Sequence, residues 1–533
     1  MSTKKRSEAM FASHYDCDIA VIGGGVGGCA AALAAAEAGM RVVLTEETDW
    51  IGGQFTSQAV PADEHPWIEQ FGCTAKYREF RNRVRGYYKA NYPLTANAMR
   101  DNRFNPGNAI VSRLSCDPRV ALSVLEDMLA PYIHAGRITL LLHVRPVAAD
   151  TDGDVVRAVM LERAESGERI TVSAHYVLDA TECGDLLPLT GTEYVTGAES
   201  RRDTGEPHAL EGEAEPDDIQ SITWCFALDY REGEDHTIAK PEVYDFWRSY
   251  QAPFQRDRMF SWTPLQTNGA VKSFSLFPEA GAFSLWNYRR IADRTQFAPG
   301  AFDSDITLIN WPQNDYWLGS IYDVTEEERQ RHLEGARQLS LSLLYWLQTD
   351  APRPDGGTGY PGLRLRGDVT GTADGLAKAP YIRESRRIRA EFTVKEQHIS
   401  PEVRGAGGSE AFSDSIGVGC YRIDLHPTTG GREGFYIPSF PFQIPLGSLI
   451  PIRMENLLPA CKNIGVTHLT NGCYRLHPVE WNIGESAGAL AAYCLQRGVS
   501  PRQVRRDPAR LADFQRALTQ RGVELAWPSI GQV

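Results

Sequence analysis

Apolar runs and helical repeats alternate along the chain, and the alternation is clearest near its start. Ile19 to Ile22 is apolar without interruption, the pattern of a strand buried on both faces. An alanine-rich run of small residues from Gly27 to Ala38 predicts a helix that can lie close on a sheet. Gly39 ends it, because a residue without Cβ is free to take the left-handed closing conformation. Arg41 to Glu46 is a second strand, so the stretch from Asp18 reads as a β-α-β unit. Further on, Lys76 to Arg85 has helical spacing, and Arg113 to His134 sets Leu122, Leu125 and Leu129 on one helix face. Arg137 to Val147 reads as a strand, and Val155 to Glu162 with Arg169 to Val177 as a strand pair. From about 195 to 440 the pattern changes. Aromatic residues such as Trp224, Trp286 and Trp311 crowd in, and short strands (Ser221 to Asp229) mix with helices (Glu326 to Gln348). A last small-residue helix is expected from Val479 to Gln496, with Pro478 in its first turn, where a missing N–H costs nothing.

The first β-α-β unit carries candidate chemistry. Gly23, Gly25 and Gly28 stand at G-x-G-x-x-G spacing directly after the strand. Gly23 permits the tight turn, Gly25 lets the backbone approach a pyrophosphate, and Gly28 lets helix and strand pack closely. The helix N-terminus offers free N–H groups and partial positive charge to the phosphates. Glu46, 23 residues after Gly23, can accept hydrogen bonds from a ribose diol. Together these predict a dinucleotide site. A second such spacing, at Gly357, Gly359 and Gly362, follows no strand and contains Pro361, so it is rejected as a nicotinamide site.

Three later stretches bear on which dinucleotide is bound. Gly52-Gly53-Gln54 follows the ribose-binding acid; Asp179-Ala180-Thr181-Glu182-Cys183-Gly184-Asp185 closes a strand; and Asn463 leads on to Asn482-Ile483-Gly484-Glu485. With internal motifs such as Glu384-Ser385-Arg386-Arg387 and Tyr421-Arg422-Ile423-Asp424-Leu425-His426-Pro427, the chain from about 16 to 528 resembles the FAD-dependent oxidoreductase family of the glutathione-reductase-like flavoprotein superfamily. It departs from that pattern at Ala460-Cys461-Lys462-Asn463, where the family more often has Ala-Gly-Arg-Asn. The resemblance implies an α/β fold: a Rossmann-like FAD-binding domain, its parallel sheet carrying a small antiparallel insertion, plus an α+β substrate domain. The FAD domain is expected over 16–60, 110–195 and 441–500. An insertion at 61–109, the substrate domain at 196–440 and a helix with tail at 501–533 complete the division. FAD would be held by Gly23, Gly25, Gly28, Glu46, Gly52, Gly53, Gln54, Thr181, Asp185, Asn463, Ile483 and Gly484, with Val147 at the adenine.

Composition narrows the function. A net charge of −13 over 533 residues argues against nucleic acid, which needs a basic face. Ten cysteines without a C-x-x-C pair exclude the dithiol and common zinc patterns and suit a reducing cytoplasm. No apolar stretch reaches the roughly 20 residues of a membrane span. Residues 1–15 read as a disordered leader without a signal peptide, and a monomer or homodimer is expected.

The resemblance makes FAD the redox agent, with the protein positioning a small-molecule substrate. Hydride transfer from an alcohol or amine to flavin N5 leaves a proton, and a base near neutral pKa suits histidine. His468 and His426 are the candidate bases, and Tyr474 and Arg475 sit close to His468 in sequence. Arg475, Arg386 and Arg422 are candidate carboxylate clamps, and Lys76 and Arg78 candidates for attracting an anion. Cys73 and Cys116 make covalent flavin attachment conceivable. The expected activity is an oxidase or dehydrogenase passing electrons to oxygen or a partner protein. The alternatives are a monooxygenase fed by NAD(P)H or a reductase, and a lyase or isomerase with non-redox FAD. A halogenase lacks its W-x-W-x-I-P motif here, and the acidic balance disfavours a tRNA-modifying flavoprotein.

Overall fold

The structure, a computed structural model, describes residues 13–264, 266–268 and 270–528. The leader expected over 1–15 therefore lies, up to residue 12, outside the described residues, as does the end of the tail. Strand β1 (Ser13–Ile22), helix α1 (Val26–Glu37) and strand β2 (Val42–Thr45) form the first unit. Every residue of α1 from Val26 to Ala36 is buried, so no face of it is polar. Helix α2 (Ala75–Asn91) begins where the Thr74 hydroxyl accepts from the Tyr77 N–H. Helix α3 (Pro118–His134) starts later than the periodicity suggests, because the Asp117 carboxylate caps it and Pro118 fits its first turn. The single strand expected over 137–147 is two: β3 (Ile138–Leu141) and β4 (Val144–Asp152), broken at His143, whose φ is +58°.

Strands β5 (Val155–Arg163) and β6 (Arg169–Asp179) complete the N-terminal part of the main sheet. Strands β3, β2, β1 and β6 run parallel in that order, and β5 and β4 continue the sheet antiparallel. This is the mixed α/β sheet with an antiparallel insertion that the sequence implied.

In the middle region β7 (Phe226–Tyr230), β8 (Arg290–Ala292), β9 (Ile306–Ile309) and β10 (Leu363–Leu365) make an antiparallel sheet in the order β8-β9-β7-β10. Helix α4 (Glu326–Thr349) opens on a capping box formed by Thr325 and Glu328. The glycines at 357–362 lie in the loop between α4 and β10. Strands β11 (Ser415–Gly419) and β12 (Phe442–Pro445) form a separate pair.

The chain then returns to the first sheet. Strand β13 (Leu457–Pro459) pairs parallel with the C-terminal end of β6, on the edge whose N-terminal half β5 covers. Short helix α5 (His468–Tyr474) and long helix α6 (His477–Arg497) follow, then α7 (Pro508–Gln520). Helix α6 crosses α1 at backbone contact: a Cβ on Gly484 would fall inside the Gly27 carbonyl, and one on Gly488 inside that of Ala31. Among the described residues no helix is long and apolar enough to cross a membrane.

Candidate active site

Two neighbouring cavities bear on the chemistry, and the larger faces the carboxyl ends of the parallel strands. The larger, about 1130 Å³ including its open mouth, is a cleft lined by the turn after β1 and the ends of β2 and β6. Gly23 turns the chain with φ +104°, and a Cβ there would collide with the Ala180 carbonyl. Gly25 caps α1 without any side-chain partner, and the first turn of α1 holds no acid. Its N–H groups are left for a ligand. Glu46 accepts from the Gly24 N–H at 3.1 Å and from the Thr48 N–H and hydroxyl, both at 2.9 Å. Burial pushes its carboxyl up to about 8, with the Thr48 bonds pulling the other way.

One carboxylate already occupies the mouth of the helix. Glu182 Oε1 lies 2.6 Å from where a Cβ on Gly25 or Gly53 would sit, and is itself buried without a partner. Its other oxygen pairs with buried Lys462. Lys462 Nζ also reaches Cys461 Sγ at 3.4 Å and Glu480 Oε2 at 3.5 Å. Its ammonium supplies the positive charge that Glu182, Cys461 and Glu480 surround. The glycine cradle, uncapped helix and ribose-side acid fit the adenine dinucleotide half of FAD.

The predicted cofactor residues divide into two sets. Gly23, Gly25, Glu46, Gly53, Thr181 and Asp185 line the cleft. Gly28, Gly52, Gln54, Asn463, Ile483 and Gly484 lie behind its wall. Gly28 packs on the Gly23 carbonyl, and the Gly52 N–H donates to the Gly24 carbonyl. Gln54 joins the Arg475 carbonyl to Glu480, at 3.1 and 2.8 Å. Asn463 ties the end of β13 to the Asp179 carbonyl. Ile483 and Gly484 sit in the fully buried run of α6, where Gly484 meets α1. In β4 the lining residues are Val144 and Pro146; Val147, expected at the adenine, is not among them and falls at a shift of register between Pro146 and Ala148.

The second cavity, about 750 Å³ with its open mouth, is lined by residues far apart in sequence. The segment 378–383 separates the two: Lys378, Pro380 and Ile382 border the cleft, while Tyr381 and Arg383 border the cavity. Arg475 also lines the cavity, donating to the Tyr381 hydroxyl at 2.6 Å.

His426 is here too, its Nδ1 2.7 Å from Asp315 Oδ2. Arg383 holds the other Asp315 oxygen at 2.9 Å. Burial, then the Arg383 charge, lower the His426 pKa below its ordinary value, against the pull of Asp315. Neutral His426 therefore carries its proton on Nδ1, toward the carboxylate, and leaves Nε2 as an acceptor. Its side chain is 29% exposed.

His468 stands elsewhere, 7% exposed at the start of α5, with Nδ1 2.9 Å from Glu384. Burial works against its charge, but Glu384 outweighs burial and holds the imidazolium above its ordinary value. It borders a separate small cavity with Glu206 and His208. Tyr474 is buried, stacked on Phe442 at 4.2 Å and donating to the Gln443 carbonyl. Arg386 is engaged by Asp185 and Asp323, Lys76 by Glu37 and Glu79, and Arg78 by the Ile68 carbonyl. Burial holds the Cys73 thiol up at about 12 and raises that of Cys116, and neither lines the cleft. Asp63, Lys272, Arg289, Asp315 and Tyr381 were not anticipated from the sequence. Asn310 to Asp315, a dense polar run inside an aromatic region, is the one local signal that marked any of them.

A glycine-turn cleft over a parallel sheet is the arrangement of a dinucleotide-dependent enzyme, and a second, charged cavity lies beside it. Residues 18–518 match the family model described as FAD dependent oxidoreductase; the chain belongs to that family, and FAD is its cofactor. No curated protein matches the chain. Among solved structures, a geranylgeranyl bacteriochlorophyll reductase-like protein from Thermoplasma acidophilum is 11% identical, over 96% of this chain and 85% of its own, at a TM-score of 0.31. The L-proline dehydrogenase from P. horikoshii is 18% identical over 36% of this chain and 26% of its own, at 0.18. The myxobacterial chondrochloren halogenase is 16% identical over 42% and 46%, at 0.22. This chain thus spans about a quarter of the dehydrogenase and under half of the halogenase. None of the three TM-scores reaches 0.5, and none informs the chemistry of this chain.

Proposed function

We propose that this protein oxidises a small polar organic molecule bound in the second cavity, with FAD in the neighbouring cleft and His426 as the proton acceptor. The observation that carries the reading is the His426–Asp315 pair in the wall of a cavity that shares the 378–383 segment with the cleft. The glycine turn, Glu46 and the start of α1 would hold FAD, which would supply the two-electron acceptor. Asp315 fixes the His426 ring and its tautomer, so Nε2 receives the proton leaving the substrate hydroxyl or amine. Asp315 is itself kept below the usual carboxylate range: burial opposes this, but Arg383 and then His426 outweigh it. It stays ionised and stabilises the imidazolium once formed. Arg475, locked between Tyr381 and the Asp424 carbonyl, holds the wall at the junction of the two spaces.

Electrons leave for oxygen or a partner protein, and the working unit is a monomer or homodimer in the cytoplasm. The ten unpaired cysteines support a reducing compartment. Anaerobic mixing of the holoprotein with alcohols and amines tests the reading: the expected result is loss of the long-wavelength flavin absorbance on substrate addition alone. Loss only after NAD(P)H, or turnover with the flavin oxidised throughout, overturns it.

A further inference from the structure

The charges lining the second cavity do not balance. Lys272, Arg289, Arg383, Arg422 and Arg475 face Asp63, Asp315 and Asp424, five cations against three carboxylates, in a chain of net charge −13. The buried members are paired. Arg383 holds Asp315, Arg289 lies 3.3 Å from Asp63, and Arg475 lies 3.9 Å from Asp424. The surplus is Lys272 and Arg422, both exposed at the rim.

Among the described residues neither has a carboxylate within ion-pair distance. Arg422 lies over the Tyr436 ring at 4.0 Å and Lys272 over Phe283 at 4.4 Å. A cation held over a ring face keeps N–H donors that the ring does not use. Lys272 is also held below its ordinary pKa, by partial desolvation and then by the Arg422 charge. Two like charges are thus set beside each other, and the carboxylate acting on both, Asp424, is already shared with Arg475. Deeper in, the Trp311 indole N–H and the Asn310 amide N–H are buried without acceptors, and both residues line the cavity. Unpaired cations at the rim and unpaired neutral donors inside call for a ligand that is anionic at one end and accepts hydrogen bonds at the other.

We infer that the molecule taken up by this cavity is a small organic acid, its carboxylate held by Arg422 and Lys272 and its polar end received by Asn310 and Trp311. This rests on the cavity being the substrate space, and it adds the class of substrate. Arg422 and Lys272 are specificity determinants, placed to bind the acid and not to move its proton.

The test is calorimetric titration of the FAD-loaded protein with succinate, malonate and inorganic phosphate, at low and high salt. Saturable binding of a dicarboxylate, weakened by salt and about 10- to 100-fold weaker in Arg422→Gln, is expected. Lys272→Met, at an exposed site outside the lining of the cleft, should weaken it as well. No carboxylate binding, binding unchanged in both variants, or tighter binding of phosphate than of either acid overturns the inference. Binding of malonate, which has no hydroxyl, amine or CH2–CH2 unit to oxidise, needs no electron transfer. It can therefore fail while substrate-dependent flavin reduction still occurs, and can succeed when no tested donor reduces the flavin.

Discussion

The two cavities handle negative charge by opposite means. The nucleotide cleft is lined by four carboxylates, Glu46, Glu47, Glu182 and Asp185, against only Lys378 and Arg329. Its capacity for a pyrophosphate lies in backbone N–H groups at the start of α1, whose positions are set by the glycine turn and not by the choice of a side chain there. The second cavity has the reverse construction, with cationic side chains drawn from loops that span residues 272 to 475. Backbone suits a ligand that stays bound, since its dipoles are fixed by the fold. Side-chain charges suit one that comes and goes, since they stay partly hydrated when it is absent.

Four substitutions sharpen this contrast. The largest effect is expected at His426. His426→Gln should slow substrate-dependent flavin reduction by about 10²- to 10⁴-fold, with FAD content unchanged. An equal loss of bound FAD would mean the two spaces are not separable. Gly23→Ala should do the opposite, since the residue has φ +104° and no room for a Cβ. A penalty of about 3 kcal/mol falls on the cleft, roughly a hundredfold in FAD affinity, read as the flavin content of purified protein.

Third, His468→Gln should cost about 2 kcal/mol of stability at pH 6, read from thermal or denaturant melts, by removing a charged partner of Glu384. The folded pKa of His468 is raised, so this contribution is complete below about 6.5, declines as pH rises above that value, and is gone once pH passes the folded pKa. The Glu384 carboxyl, brought down to about 2 by His468 and Arg387 against burial, keeps its own share from about pH 4.5 upward. The penalty of His468→Gln should therefore shrink between pH 6 and pH 9. A constant penalty across that range would place the His468 charge outside the folding equilibrium. Smallest is Tyr474→Phe, expected to cost about 1 kcal/mol through the lost bond to the Gln443 carbonyl, with flavin reduction unaltered.

The same contrast explains what could be read from sequence. The cleft turns on Gly23, Gly25 and Glu46, which act within one β-α-β unit. Their spacing is set by strand and helix geometry, so it shows in the sequence. The return of the C-terminal segment to the first domain was implied by the family resemblance, and the small residues of its helix, such as Gly484 and Gly488, are what let α6 touch α1. The cavity was legible only residue by residue: His426, Arg422 and Arg475 were singled out, but nothing in the sequence brought them together or supplied their partners. His426 meets Asp315 across 111 positions, and Arg289 meets Asp63 across more than 200, with no periodicity linking them. His468 drew attention by its nearness in sequence to the cofactor helix. Its surroundings were hidden because Glu384, 84 positions away, reaches it through tertiary packing. The segment from Val144 to Asp152 shows a smaller version of the same limit: a left-handed His143 split one expected strand into two and set Val144 and Pro146 at the cleft.

Strand β6 has one outer edge, and two strands 294 residues apart at their nearest ends share it, β5 ending at Arg163 and β13 beginning at Leu457. Helix α1, apolar on every side, likewise waits for α6. A ribosome that has produced the first two hundred residues has therefore made the turn that recognises the nucleotide but not the wall behind it. Until residues 477–497 have emerged, that alanine helix lacks the neighbour that covers its outer side and stays open to water and to chaperones. Assembly of the holoprotein should consequently wait for that segment, and a nascent chain stopped short of residue 477 should be retained by chaperones without acquiring colour.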